Sequence, residues 1–242
     1  MFNKNNLIKL CLALLLTGYA ALTNAQTVNW TEVAPGVWKT IVGNPESFNL
    51  LNAAGIQPNT EALRKLGTTP FPLSNADIAA EVSNGQTFLR FPLEREEQIF
   101  GFGLNFKTVY QRGRILELHV DHYGGVDNGR THAPVPFYVS DKGYGVFVNS
   151  ARYLKVWAGS AVRKDSPNAP EPRDRNTDKK WTSKPYSDAV EILVPSAGVE
   201  VYVFAGPTAL DAVRRYNLYS GGGSLPPRWG LGFTQRVPTL ST

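Results

Sequence analysis

Residues 135–150 read VPFYVSDKGYGVFVNS. Two apolar runs flank Asp141-Lys142-Gly143, and glycine takes positive φ in such a turn at no steric cost. The stretch therefore reads as a β-hairpin, with Val135–Val139 paired to Tyr144–Val148. Two further segments, Gly36–Val42 (GVWKTIV) and Gln86–Leu93 (QTFLRFPL), alternate apolar and polar residues with the period of a half-buried strand. Val199–Phe204 (VEVYVF) is another strand. Between Pro45 and Asn75 the chain is rich in Pro, Asn, Gly and Ser and holds one short helical candidate, Asn59–Leu66. Gly206-Pro207-Thr208 opens a helix, since proline is tolerated in a first turn where its missing N–H has no partner to lose. Helical spacing puts Leu210, Val213 and Tyr216 or Asn217 on one face, and Gly221-Gly222-Gly223 ends the helix. These signals predict an all-β fold, an antiparallel β-sandwich from about Thr27 to Phe204, followed by a short helix.

The first 25 residues read differently. Lys4 and Lys9 form a positive start, Leu10–Leu16 an apolar core too short to span a bilayer, and Thr23-Asn24-Ala25 a small-residue end suited to cleavage. This is the pattern of a secretory signal peptide, so export to a periplasmic or extracellular space is expected. Cys11 is the only cysteine and lies inside this segment, with Lys9 interrupting the approach that lipid attachment would need. Without cysteine elsewhere, the exported protein relies on core burial rather than disulfides. A formal charge of +5, reduced to +3 without Lys4 and Lys9, and scattered basic residues give no nucleic-acid footprint. No later run of about 20 apolar residues supplies a membrane span. Asp165–Pro185 is polar and proline-rich, the composition of a long loop.

Four segments, in order, resemble the N-terminal region of glycoside hydrolase family 31. Ile99–Asn105 (IFGFGLN) is similar to its glycine-repeat strand, and Pro136–Asn149 to its PFY–turn–GYGVF hairpin. Phe204–Tyr216 (FAGPTALDAVRRY) resembles its strand-to-helix connector, and Leu225–Phe233 (LPPRWGLGF) the segment leading into the first barrel strand. The acid that often follows the glycine repeat is missing, Leu104-Asn105 standing in its place. The resemblance implies a galactose mutarotase-like sandwich over residues 26–219, with 220–242 as linker and the first strand of a (β/α)8 barrel that the chain does not contain. It implies an enzyme that hydrolyses α-glucosides, α-galactosides or α-xylosides with retention, using two carboxylates from later barrel strands. Neither carboxylate would lie in this chain. The implied partners are an α-linked oligosaccharide or glycoside and the catalytic barrel; no cofactor is implied.

The densest polar cluster is His119, Asp121, His122 and His132. Asp121 matches the family aspartate that ends a strand before a loop reaching the sugar pocket. Asp121 and the adjacent His122 are therefore the candidate substrate-binding residues, although here the local pattern is Leu-His-Val-Asp rather than aromatic-Asn-x-Asp. The bland alternative is an aspartate that caps its own loop. A zinc site from His119, His122 and His132 matches no established spacing. A sugar epimerase would pair His119 or His122 with Glu191 or Glu200 as acid and base, and a stand-alone carbohydrate-binding sandwich needs no catalysis at all. Of the tryptophans, Trp38 and Trp157 fit core positions, Trp181 lies in the polar loop, and Trp229 fits under the barrel start.

Overall fold

The computed structural model describes residues 28–105, 108–120, 130–160, 174–179 and 186–222. Eleven strands among these residues build two antiparallel sheets. They are β1 (Thr31–Ala34), β2 (Val37–Gly43), β3 (Ala79–Ser83), β4 (Gln86–Pro92), β5 (Ile99–Gly101), β6 (Arg114–Leu118), β7 (Phe137–Ser140), β8 (Tyr144–Asn149), β9 (Leu154–Ser160), β10 (Tyr186–Val194) and β11 (Gly198–Ala205). One sheet runs β1-β2-β11-β8-β7-β5 and the other β3-β4-β10-β9-β6. Among the described residues, three α-helices, α1 (Leu50–Ala54), α2 (Thr60–Lys65) and α3 (Ala209–Tyr219), and a single 3-10 turn at Asn75–Asp77 complete the order.

The hairpin forms as expected, with Phe137 opposite Phe147, Tyr138 opposite Val146 and Val139 opposite Gly145. It lacks polar alternation because it is buried on both faces. Tyr138, Tyr144, Val146 and Val148 enter the core between the sheets, while Phe137, Val139 and Phe147 enter a second core beneath the helices. Strand β11 divides the same way, Val199, Val201 and Val203 facing inward and Tyr202 and Phe204 facing the helices. The period of two thus feeds two cores from one sheet.

Helix α3 is capped by Thr208, whose side chain accepts from the Asp211 N–H. Its buried face is Ala212 and Arg215, with Val213, Tyr216 and Tyr219 packed against the aromatic layer. The Tyr216 ring lies flat on Phe137, centroids 3.9 Å apart and planes 6° apart. The expected face is corrected at Leu210, which is exposed: a stripe centred on Ala212 and Tyr216 turns position 210 to solvent. Arg215 is buried and donates to the carbonyls of Pro35, Leu66 and Gly67 and to Thr69, tying α3 to the segment that follows α2. The short helix expected at Asn59–Leu66 is α2, with Asn59 as its cap, whereas α1 has no counterpart in the sequence reading. Trp38 and Trp157 are buried as expected; Trp181, Trp229 and the whole of 223–242, with the expected barrel strand, lie outside the described residues. So do 1–27 and most of the polar stretch 165–185.

Candidate functional site

The glycine repeat forms a tightly constrained stretch of backbone. Gly101, Phe102 and Gly103 hold consecutive positive φ values of 113°, 61° and 93°. A side chain at Gly101 would stand 2.6 Å from the Phe137 carbonyl oxygen, and one at Gly103 2.0 Å from that of Ala133. The glycines are there because the repeat runs against the backbone of 133–137 with no room for Cβ. Phe102 N–H donates to Phe137 O and Leu104 N–H to Ala133 O, at 2.8 and 3.0 Å. The unfavourable φ of Phe102 is held by its buried ring, 5.3 Å from that of Tyr138.

This strapped loop carries a rim. The Thr131 hydroxyl donates to Leu104 O, and Val120 bridges Thr131, so Val120 and Thr131 are held beside the glycine repeat. His119 packs on Tyr153 with centroids 4.1 Å apart, and Glu117 pairs with Arg130 at 3.6 Å. The Asn105 side-chain amide donates to Gly101 O and Gly103 O, 3.1 Å each. A carboxylate at that place has no proton to give two carbonyls, so the amide suits this version of the loop.

Residues 59–156 match the glycosyl hydrolase 31 N-terminal galactose mutarotase-like domain. Over that stretch the chain is similar to the family 31 domain.

The match spans the glycine repeat, the described rim residues and the hairpin. An alpha-xylosidase of Lactiplantibacillus pentosus is 26% identical over 57% of the chain, and an isomaltosyltransferase of Sporosarcina globispora 25% identical over 66%. An alpha-xylosidase of Emericella nidulans is 24% identical over 61%. The chain spans only 15%, 13% and 16% of the lengths of these three relatives. A GH31 dextranase of Flavobacterium johnsoniae, solved with glucose, superposes with a TM-score of 0.55 at 17% identity. That superposition covers 88% of this chain and 30% of the dextranase, and establishes the shared sandwich fold.

The two candidate binding residues, Asp121 and His122, lie outside the described residues, whereas His119 and His132 of the proposed histidine trio are described. Of their flanks, Val120 bridges Thr131 and Arg130 pairs with Glu117 at the rim. Among the described residues no group of His, Cys, Asp and Glu is placed to hold a metal ion. For His119 the epimerase pairing finds no support in the geometry. Glu200 stands on the helix-facing side of its sheet, bound by Lys39, Asn149 and Tyr202. Glu191 is buried in the other sheet, level with Trp157 and hence with Ile115. That puts it two strands and four residues from His119, on the order of 15 Å. The other buried carboxylate, Glu97, accepts from the Ser140 and Tyr144 hydroxyls and from the Glu94 N–H. Glu200 and Glu97 are held by these hydrogen bonds, and Glu191 faces Arg90 at 3.7 Å. Sequence reasoning missed Phe102, Asn105 and Thr131; an aromatic between two glycines was the available signal for the first.

Proposed function

We propose that this chain is the sandwich domain of an exported retaining α-glycosidase acting on α-glucosides, α-galactosides or α-xylosides. The observation that carries the reading is the family 31 match across the glycine repeat and rim. Two relatives are named alpha-xylosidases, and all three are several times longer than this chain. Residues 1–25 support export. In this reading the rim presents Asp121, with His122 beside it, to the glycone, while the barrel supplies nucleophile and acid/base carboxylates about 5–5.5 Å apart. The sandwich binds and orients; it does not cleave.

The test is to characterise the product of the native locus. The reading expects a protein far longer than 242 residues, active on 4-nitrophenyl α-glycosides, while residues 26–242 alone give no turnover. Asp121→Ala in the long product should lower kcat/KM about ten- to hundredfold through loss of a charge-assisted hydrogen bond worth about 1.5–3 kcal/mol. Turnover by residues 26–242 that vanished with Asp121→Ala would overturn the assignment in favour of a sandwich with its own chemistry.

A further inference from the structure

A cleft of about 730 Å³ opens on the sandwich edge between the turn before β5, the start of β6 and the start of β10. Its lining is Arg95, Glu96, Gln98, Tyr110, Arg112 and Asp188. We propose that it is an accessory sugar-binding site for a neutral oligosaccharide, distinct from the rim; this rests on the reading of the protein as one that handles oligosaccharides.

The size falls within the range of small-ligand pockets, roughly 300–1,000 Å³. The cleft and the rim lie at opposite ends of β6, whose five residues separate Arg114 from Leu118 by on the order of 15 Å. Tyr110 supplies the platform. Its ring leans on Phe100 with centroids 5.3 Å apart and is nevertheless 58% exposed. The backbone beneath is fixed by the Phe100–Tyr110 bridge and by a 3.2 Å hydrogen bond from Tyr110 N–H to the Thr108 hydroxyl. A braced but exposed aromatic ring offers a flat apolar surface to the C–H face of a pyranose, with little ordering left to do on binding.

The polar wall is equally preset. Arg112 donates to Glu94 O and Glu97 O at 2.7 Å each and to Asp188 Oδ1 at 3.0 Å, joining all three segments. The Asp188 side chain is 72% exposed, and its Oδ2 takes no hydrogen bond among the described residues. It is an acceptor aimed at solvent and held in place by the guanidinium. Gln98 adds an amide carbonyl. Charge selects the ligand class: Arg95 and Arg112 are balanced by Glu96 and Asp188, so the lining offers no net field to a phosphate or a polyamine. An aromatic face with planar hydrogen-bonding groups and balanced charge suits a hydroxylated, uncharged ring.

The experiment is a ligand-observed NMR titration of the full chain with isomaltotriose, and with a trimeric galacturonate as the anionic counterpart. Saturable binding with a Kd of a few millimolar is expected, absent or weaker for the galacturonate, and weakened about tenfold or more by Tyr110→Ala. Asp188→Ala should weaken it about threefold to tenfold, and Tyr153→Ala at the rim should leave it unchanged. Both cleft residues are exposed, and should Tyr110→Ala not fold, Asp188→Ala decides. No saturation up to about 20 mM, full binding by Tyr110→Ala, preference for the galacturonate, or loss confined to Tyr153→Ala overturns the proposal. Tyr110-dependent binding by a long product without glycosidase activity would instead sink the proposed activity and leave the cleft standing.

Discussion

Replacing Gly103 with alanine tests whether the glycine repeat is strapped as closely as described. The added Cβ would sit 2.0 Å from Ala133 O, against 3.4 Å for ordinary contact, so the two backbones must part by about 1.4 Å. That movement breaks the Leu104–Ala133 hydrogen bond, about 1 kcal/mol. Holding an alanine at a φ of +93° adds about 1–2 kcal/mol. Residual overpacking adds about 1 kcal/mol or more. The sum is about 3–5 kcal/mol. Gly85→Ala is the control, because Gly85 has a φ of +73° and nothing within 4 Å of its missing Cβ. It should lose only the backbone contribution, about 1–2 kcal/mol. Urea denaturation followed by tryptophan fluorescence measures both, with Trp38 and Trp157 buried reporters. Equal losses in the two variants would refute the close approach, whatever their absolute size.

Three further predictions concern polar groups in the core. Glu97→Ala leaves the Ser140 and Tyr144 hydroxyls and the Glu94 N–H without their acceptor and should cost about 3 kcal/mol or more in the same assay; a loss below about 1 kcal/mol would contradict the network. Burial pushes the pKa of Glu200 up, but hydrogen bonds from Lys39 and Asn149 outweigh it and hold the carboxyl below the ordinary 4.5. A depressed folded pKa contributes stability that is complete above the unfolded value and disappears as pH falls through the folded one. Glu200→Gln should therefore flatten the decline in stability below pH 4.5, and parallel wild-type and variant curves would exclude this. Arg215→Met strands the carbonyls of Pro35, Leu66 and Gly67 and should cost about 2–4 kcal/mol. Arg215→Lys should recover little of it in denaturation, since an ammonium cannot span the guanidinium's acceptors.

The hairpin, β4, and the existence of α2 and α3 were legible because each rests on local chemistry: a Gly-ended turn, a period of two, a helical spacing; Pro207, expected in the first turn of α3, instead precedes its Thr208 cap. The rim was legible only in part. The glycines of the repeat were visible, but what they approach, the backbone of 133–137, lies some thirty positions along and leaves no local mark. The face of α3 was misjudged because Arg215 is buried by three carbonyls from two distant loops; an arginine there reads as solvent-facing until its acceptors are known. Asn105 seemed simply a missing acid, and only the two carbonyls it meets show why an amide serves.

The pairing of β2 with β11 sets a timetable for the ribosome. Lys39 and Glu200, partners across that ladder, are 161 positions apart. At about 5–20 residues per second, β2 waits roughly 8 to 30 s before its central neighbour has been made. Through that interval only the β1 side of β2 has a local partner, and its other edge, with Val37, Trp38 and Val42, stays open to any passing strand. A nascent chain of this design has most need of a holding chaperone early, long before its last strand arrives. Slowing synthesis should then lower the soluble yield unless such a holder is supplied.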